Sequence, residues 1–281
     1  MNSNQLSRRA ILGASPLALP LRGAKSRLKL GVTDWNLRKG ANPESVALAA
    51  SIGFEGVEIS FGRAKAGETR LPADTPETIA AYKKAFAEHK IAVAGTCVDA
   101  LHVNCLMNDR QGVKWVSDAI RLSRELGSKV LLMPFFGDCE LKTQAQMDST
   151  ASVIKEVVGE AAKAGLTLGL ENTISAAESL RIMDKVGSPQ LKVYYDAQNA
   201  VRWGHDPFAE LKLLGPSRIC QIHIKDNAGY LGEGGFPWDR LMPVIMDLGF
   251  NGWANLETSS PSKDVAADMK RNLFYVRRLM A

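Results

Sequence analysis

The sequence predicts an α/β fold, a single-domain (β/α)8 TIM barrel behind a short N-terminal leader. Three observations predict it: apolar runs alternate with helical stretches, glycines stand where those stretches stop, and the length fits eight repeats. The predicted strands are Leu28 to Asp34, Gly56 to Ile59, Ile91 to Cys97, Lys129 to Pro134, Leu166 to Glu171, Leu191 to Asp196, Ile219 to Ile224 and Trp253 to Glu257. Between them, Thr75 to Glu88, Val113 to Leu126 and Met147 to Ala164 carry apolar residues at helical spacing. Gly53, Gly127, Gly165, Gly215 and Gly249 occupy positions where a helix C-cap turns the chain toward the next strand. Eight such units need ~250 residues, and positions 27–281 supply 255. An open doubly wound sheet ranks behind, because no GxGxxG follows the first strand.

Composition narrows the function classes. Nearly half of the 281 residues are hydrophobic and 23% are charged, which suits one large core and excludes a disordered chain. The net charge of +5 falls to +2 without the first 24 residues, which hold Arg8, Arg9 and Arg22 and no acid. Neither a nucleic-acid partner nor a stable membrane anchor is expected on that balance.

Positions 1–26 read as the leader. Ser7-Arg8-Arg9-Ala10-Ile11-Leu12-Gly13 opens an apolar stretch that ends at Leu21, a pattern similar to a bacterial twin-arginine signal. The stretch holds Pro16 and Pro20 and is shorter than the ~20 residues of a membrane-spanning helix. Export to the periplasm follows; without it the protein would be cytoplasmic. Cys97, Cys105, Cys139 and Cys220 form no CxxC pair and no disulfide framework, so four free, mainly buried thiols are expected.

In such a barrel, chemistry sits where strands end. Glu171, Asp196, His223 and Glu257 fall at or near the ends of four consecutive predicted strands, 25, 27 and 34 residues apart. Neighbouring strands would therefore gather all four around one point. Converging polar groups at an apolar mouth are costly without a partner, and a cation supplies it. Three carboxylates and one imidazole form an oxygen-rich set suited to one divalent ion, Mn²⁺ first, with Mg²⁺ or Co²⁺ as substitutes.

These residues carry a resemblance. The Glu171-Asn172 strand end, Asp196-Ala197-Gln198-Asn199-Ala200, His223-Ile224-Lys225-Asp226, Gly232-Glu233-Gly234 and Leu248-Gly249-Phe250-Asn251-Gly252-Trp253 resemble the xylose isomerase-like barrel superfamily. The likeness is to its sugar phosphate isomerases and epimerases, and runs from Leu28 to the C-terminus. It implies that Glu171 and Glu257 both ligate metal and act as acid and base. A metal-polarised carbonyl makes the neighbouring hydrogen removable, and two carboxyls on opposite faces of the planar intermediate permit inversion. The chain departs from the 3-epimerase pattern at Asn199, where those enzymes carry histidine, and at Lys225-Asp226, where they carry arginine.

Other residues fall near the expected mouth and are candidates for contact with a carbohydrate substrate. Lys225, Asn199, Glu58, His102, His205, Trp35 and Trp238 form this set, with Phe135 and Phe136 as further aromatic walls; core packing or loop capping is the competing role for each. The run Gly232 to Gly235 is more plainly a turn than a phosphate cradle. Export would argue against a phosphorylated substrate and for a free keto sugar, a cyclitol or a keto-glycoside. The nearest rival function is a metal-dependent lyase or dehydratase on a keto sugar, inosose or 3-keto-glycoside, followed at a distance by a non-catalytic sugar-binding barrel. A multi-zinc nuclease on the same fold needs a histidine-rich site, which four histidines do not furnish. Oligomeric state is left open, a homo-oligomer included.

Overall fold

The computed structural model describes residues 28–281 apart from 66, 227 and 228. The leader expected over 1–26 lies outside the described residues. Eight parallel strands close a barrel in chain order: β1 (Lys29–Thr33), β2 (Gly56–Ser60), β3 (Ala92–Cys97), β4 (Val130–Pro134), β5 (Thr167–Glu171), β6 (Leu191–Asp196), β7 (Ile219–Ile224) and β8 (Trp253–Leu256). Each boundary falls within one residue of the sequence expectation. β2 and β4 are buried along their whole length, as strands covered on both faces must be, and β4 reads Val-Leu-Leu-Met-Pro without a polar break.

The surrounding helices are α1 (Glu44–Ile52), α2 (Pro76–His89), α3 (Arg110–Leu126), α4 (Gln144–Ala164), α5 (Ala176–Val186), α6 (Ala197–Arg202), α7 (Pro207–Leu214), α8 (Trp238–Asp247) and α9 (Val265–Met280). Local chemistry sets their starts. Thr143 and Gln146 form a reciprocal capping box, which begins α4 three residues ahead of the apolar periodicity. Asp109 caps α3 by accepting from Gln111 N, ahead of the expected start at Val113. Gly53, Gly127 and Gly165 end α1, α3 and α4 in the left-handed region, as expected. Gly249 differs: α8 is capped by Leu248, and Gly249 takes the positive φ one residue later.

The main core fills the layer between strands and helices. A smaller cluster of Cys97, Val130, Leu132 and Tyr194 packs separately, with Trp35 against it. Among the described residues, no helix is long and apolar enough to cross a membrane.

The cysteine expectation needs correcting. Cys105 and Cys139 form a disulfide, while Cys97 and Cys220 are free. The two half-cystines lie 34 residues apart, in the loops that follow β3 and β4. That is the length of one βα unit, so the barrel's own repeat brings them together. Sequence spacing alone shows nothing of this, because the relevant distance is between adjacent loops.

Candidate active site

Glu171 ends β5, Asp196 ends β6, His223 lies in β7 one residue before its end, and Glu257 follows β8 directly. One ligand atom from each can be chosen so that all four lie within 4.8 Å of one another. Each side chain has a local reason for its pose. Asp196 is the N-cap of α6, and its Oδ1 accepts hydrogen bonds from Gln198 N and Asn199 N at 2.9 Å each. Its Oδ2 is buried and ion-paired with Lys225 Nζ at 2.7 Å. One oxygen thus fixes the carboxylate and the other is aimed into the cluster.

His223 is held from below. Its Nε2 is 2.9 Å from Glu58 Oε2, and its Nδ1 faces Glu171 Oε1 at 3.1 Å and Glu257 Oε2 at 3.6 Å. Glu58 Oε2 also accepts from Tyr194 Oη at 2.8 Å and Asn255 Nδ2 at 3.1 Å. Asn255 reaches this place because residue 31 is glycine: a Cβ there would stand 2.0 Å from Asn255 Oδ1. With Glu58 accepting at Nε2, a neutral His223 would turn its Nδ1 lone pair toward the cluster, the carboxylate–histidine arrangement that orients an imidazole ligand.

The electrostatics fit a cation. Burial disfavours charge on His223, but Glu171, Glu257 and Glu58 outweigh it and raise its pKa well above the ordinary range. Burial likewise opposes the Lys225 ammonium, and Asp196, Glu257 and Glu171 more than offset it. Burial pushes Glu171 up to about 7, against the pull of His223. At Glu257 burial is overcome by Lys225, 2.8 Å away, together with His223, which bring it down to about 2. Lys225 thus sits where the three carboxylates need positive charge. The three carboxylates, Asp196 through its buried Oδ2, and the oriented imidazole would accept a divalent ion.

Above the cluster opens a cavity of about 550 Å³, of a size for a small sugar. Glu171, Glu257, Asn199, Lys225, Trp35, His102 and Phe136 are among its lining residues. Trp35 Nε1 donates to Glu257 Oε1 at 3.0 Å, and Asn199 Nδ2 to Glu171 Oε1 at 3.3 Å, so both hold a carboxylate as well as facing the cavity.

Other candidates for substrate contact lie elsewhere. Glu58 is fully buried beneath His223, so it supports that imidazole and is not among the residues that line the cavity. Trp238 is buried too, its Nε1 donating to the Lys225 carbonyl at 2.9 Å, which fixes the loop after β7. His205 Nε2 lies 3.3 Å from the Thr173 carbonyl, away from the cavity lining. Phe135 packs in the core. The amides of Gly232 and Gly234 donate to Asp226 Oδ2 at 3.1 and 3.3 Å, so that run braces its own loop.

Four lining residues are not among those the strand ends singled out: Ser60, Arg63 and Asp99 on the β2 and β3 side, and Arg202 at the end of α6. The Ser60 hydroxyl donates to Asp99 Oδ2, while the Ser60 amide donates to Asp34 Oδ2 at 3.1 Å. Burial raises both Asp34 and Asp99, and Asp99 raises Asp34 further. Asp34 follows β1 and Ser60 ends β2, so the strand-end rule that found the first four residues points to these as well.

Fold and site together define a barrel with a carboxylate–histidine cluster at the C-terminal mouth. Residues 46–278 match the family model described as the xylose isomerase-like TIM barrel, and the chain belongs to that family. The 2-epi-5-epi-valiolone 7-phosphate 2-epimerase of Actinoplanes sp. is 27% identical over 202 residues, covering 70% of this chain and 72% of the relative. Among solved structures, an L-ribulose 3-epimerase superimposes with a TM-score of 0.72 at 18% identity, covering 90% of this chain and 95% of the other. The D-psicose 3-epimerase of Clostridium cellulolyticum H10, solved with D-tagatose, gives 0.75 at 15% identity, covering 90% and 99%.

Proposed function

We propose that this chain is a divalent-metal-dependent sugar epimerase or isomerase that moves a proton at a carbon next to a carbonyl, with Mn²⁺ as the working ion. One observation carries the reading. Of the four clustered residues, Glu171 and Glu257 line the cavity, whereas Asp196 and His223 are not among its lining residues. The two carboxyls free to meet substrate are the two that would serve as acid and base. The epimerase names of the relatives agree with this assignment.

Glu171, Asp196, His223 and Glu257 would hold the ion, which when bound supplies Lewis acidity toward a substrate carbonyl. Glu171 and Glu257 exchange a proton with the substrate carbon from two sides of the cluster. Asn199 and Trp35 each donate to one of these carboxylates and fix its orientation. Trp35 and Phe136 present aromatic surface to a sugar ring. Lys225, on the cavity wall, would donate to a substrate oxygen.

We also propose export by the twin-arginine route, on the Ser7 to Leu21 pattern. The Cys105–Cys139 disulfide agrees with an oxidising compartment. A precursor that stays unprocessed in a host with a working twin-arginine system would remove this part. Export favours a free keto sugar, cyclitol or keto-glycoside. Arg63 and Arg202 at the cavity make ketose phosphates the control that separates the two substrate classes.

The test is incubation with free ketoses, inososes, 3-keto-glycosides and ketose phosphates in D₂O, read by NMR and mass spectrometry. Deuterium next to the carbonyl, with mass otherwise unchanged, is the expected result. Loss of water or of an aglycone would reassign the chain to the lyases.

A further inference from the structure

The loops that follow β3 and β4 meet twice at the cavity. His102 ends a short 3₁₀ helix, Asp99–His102, and Phe136 immediately precedes another, Gly137–Cys139. Their rings stack with centroids 6.1 Å apart and planes 26° from parallel, and both face the cavity. Three residues beyond each ring stands a cysteine, and Cys105 and Cys139 are bonded to each other. Cys139 is buried and Cys105 half-buried.

Each loop is tied to its own surroundings. Asn104 accepts from Trp115 Nε1 at 2.9 Å and donates to Asp109 Oδ2 at 2.8 Å, while Glu140 accepts from Thr173 Oγ1 at 2.7 Å. Among the described residues, the hydrogen bonds of 99–109 and of 135–141 run within each loop or outward. None of them joins the two loops. The ring stack and the disulfide join them at the cavity, above the shared core in which Leu101, Leu106, Phe135 and Leu141 are buried.

We propose that the Cys105–Cys139 bond is a positioning device for the substrate pocket: it holds His102 and Phe136 together as one aromatic wall on the β3 and β4 side of the cavity. A ring stack of this size contributes about 0.5–1.5 kcal/mol, which by itself leaves the rims of the two loops, above their buried anchors, free to shift relative to one another. A covalent link three residues away removes most relative motion of their backbones. The wall then meets a sugar ring already ordered, and less freedom is lost on binding. The bond touches none of the four clustered residues, so it governs affinity and leaves the proton-transfer chemistry alone.

The wall's role in substrate affinity rests on the sugar-enzyme reading above, but its rigidity is measurable without turnover. Protein recovered from an oxidising compartment and denatured without reductant should titrate two thiols, Cys97 and Cys220; four thiols would overturn the proposal. Hydrogen exchange would then compare this protein with the Cys105→Ser/Cys139→Ser double variant. Amides of 99–106 and 135–141 should exchange about tenfold faster or more in the variant, with β5 to β8 unchanged. Equal exchange in both loops would overturn it. Should the variant not fold, wild-type protein kept fully reduced from a reducing cytoplasm gives the same comparison. For any ketose turned over, KM should rise about threefold or more with kcat held within about twofold. A fall in kcat at constant KM would contradict a positioning role. A protein that handles no sugar defeats the functional reading, while the exchange result still decides this one.

Discussion

The two halves of the barrel mouth are built on different principles. From β5 to β8, each strand end delivers one short side chain to a common point, and backbone amides or buried partners fix it there. From β1 to β4, the mouth is made by loops: Trp35 after β1, His102 and Phe136 on loops joined by a disulfide, and Asp34 and Asp99 linked through Ser60. The first half is placed by strand register, to within the reach of a carboxylate. The second is placed by loop packing and a covalent strap. On the function proposed above, chemistry would fall to the sheet and recognition to loops that a covalent strap holds in place.

Variants can break this contrast, and the largest effect belongs to the β5 to β8 half. Glu171→Gln and Glu257→Gln should each lower turnover by about 10²–10⁴-fold, since each removes a proton-transfer group, with far-UV circular dichroism unchanged. Full activity in either variant would take that residue out of the scheme. Next comes the support beneath the cluster. Glu58→Gln should weaken Mn²⁺ binding by about 10–100-fold, as loss of a partner that orients a metal-binding imidazole does; calorimetric titration reads it. Unchanged affinity would mean that His223 is held by packing alone.

Changes in the β1 to β4 half should be smaller and of another kind. Phe136→Ala should raise KM by about three- to tenfold with little change in kcat, the mark of lost uniform binding. A collapse of kcat instead would erase the distinction between the halves.

The smallest effect concerns the back of the mouth, where Asp268 accepts from Tyr230 Oη at 2.8 Å, Ser260 Oγ at 2.7 Å and Ser262 Oγ at 2.7 Å. Burial alone would raise this carboxyl, but those donors outweigh it and hold it at about 2, below the ordinary 3.8. The unfolded chain therefore takes up this proton first as pH falls. The stability Asp268 provides is fully present above pH 3.8 and is lost as pH falls through about 2. Asp268→Asn lacks that proton uptake, so urea midpoints measured between pH 5 and pH 2.5 should fall less in the variant than in the wild type. Parallel slopes would show that Asp268 is not depressed.

The same contrast explains what the sequence made legible. The strands were readable because buried parallel strands are apolar along their length, as in Val130–Pro134, and a strand end is a position that one-dimensional reading can find. Glu171, Asp196, His223 and Glu257 came from that rule directly. Glu58 lies near a strand end too, but the same rule cannot say whether a side chain points up into the cavity or inward under a neighbour. Trp238 was misplaced for a related reason: its indole turns back to the Lys225 carbonyl, a contact set by how α8 approaches the loop. The disulfide escaped because its halves are neighbours only around the barrel. The Ser60–Asp34 link shows the converse, a pair of mouth residues at strand ends that the same rule reaches.

The most direct test of the account is metal stoichiometry. Purified protein would be stripped with chelator, titrated with Mn²⁺ and assayed by elemental analysis after dialysis, alongside Asp196→Ala and His223→Ala variants shown to be folded. Asp196 and His223 are chosen because they lie outside the cavity lining, so their loss reports on the cluster and not on substrate contact. The account predicts one ion per chain in the wild type and loss of stoichiometric binding in both variants. A wild-type protein that retains no divalent ion, or variants that bind as well as the wild type, would contradict it.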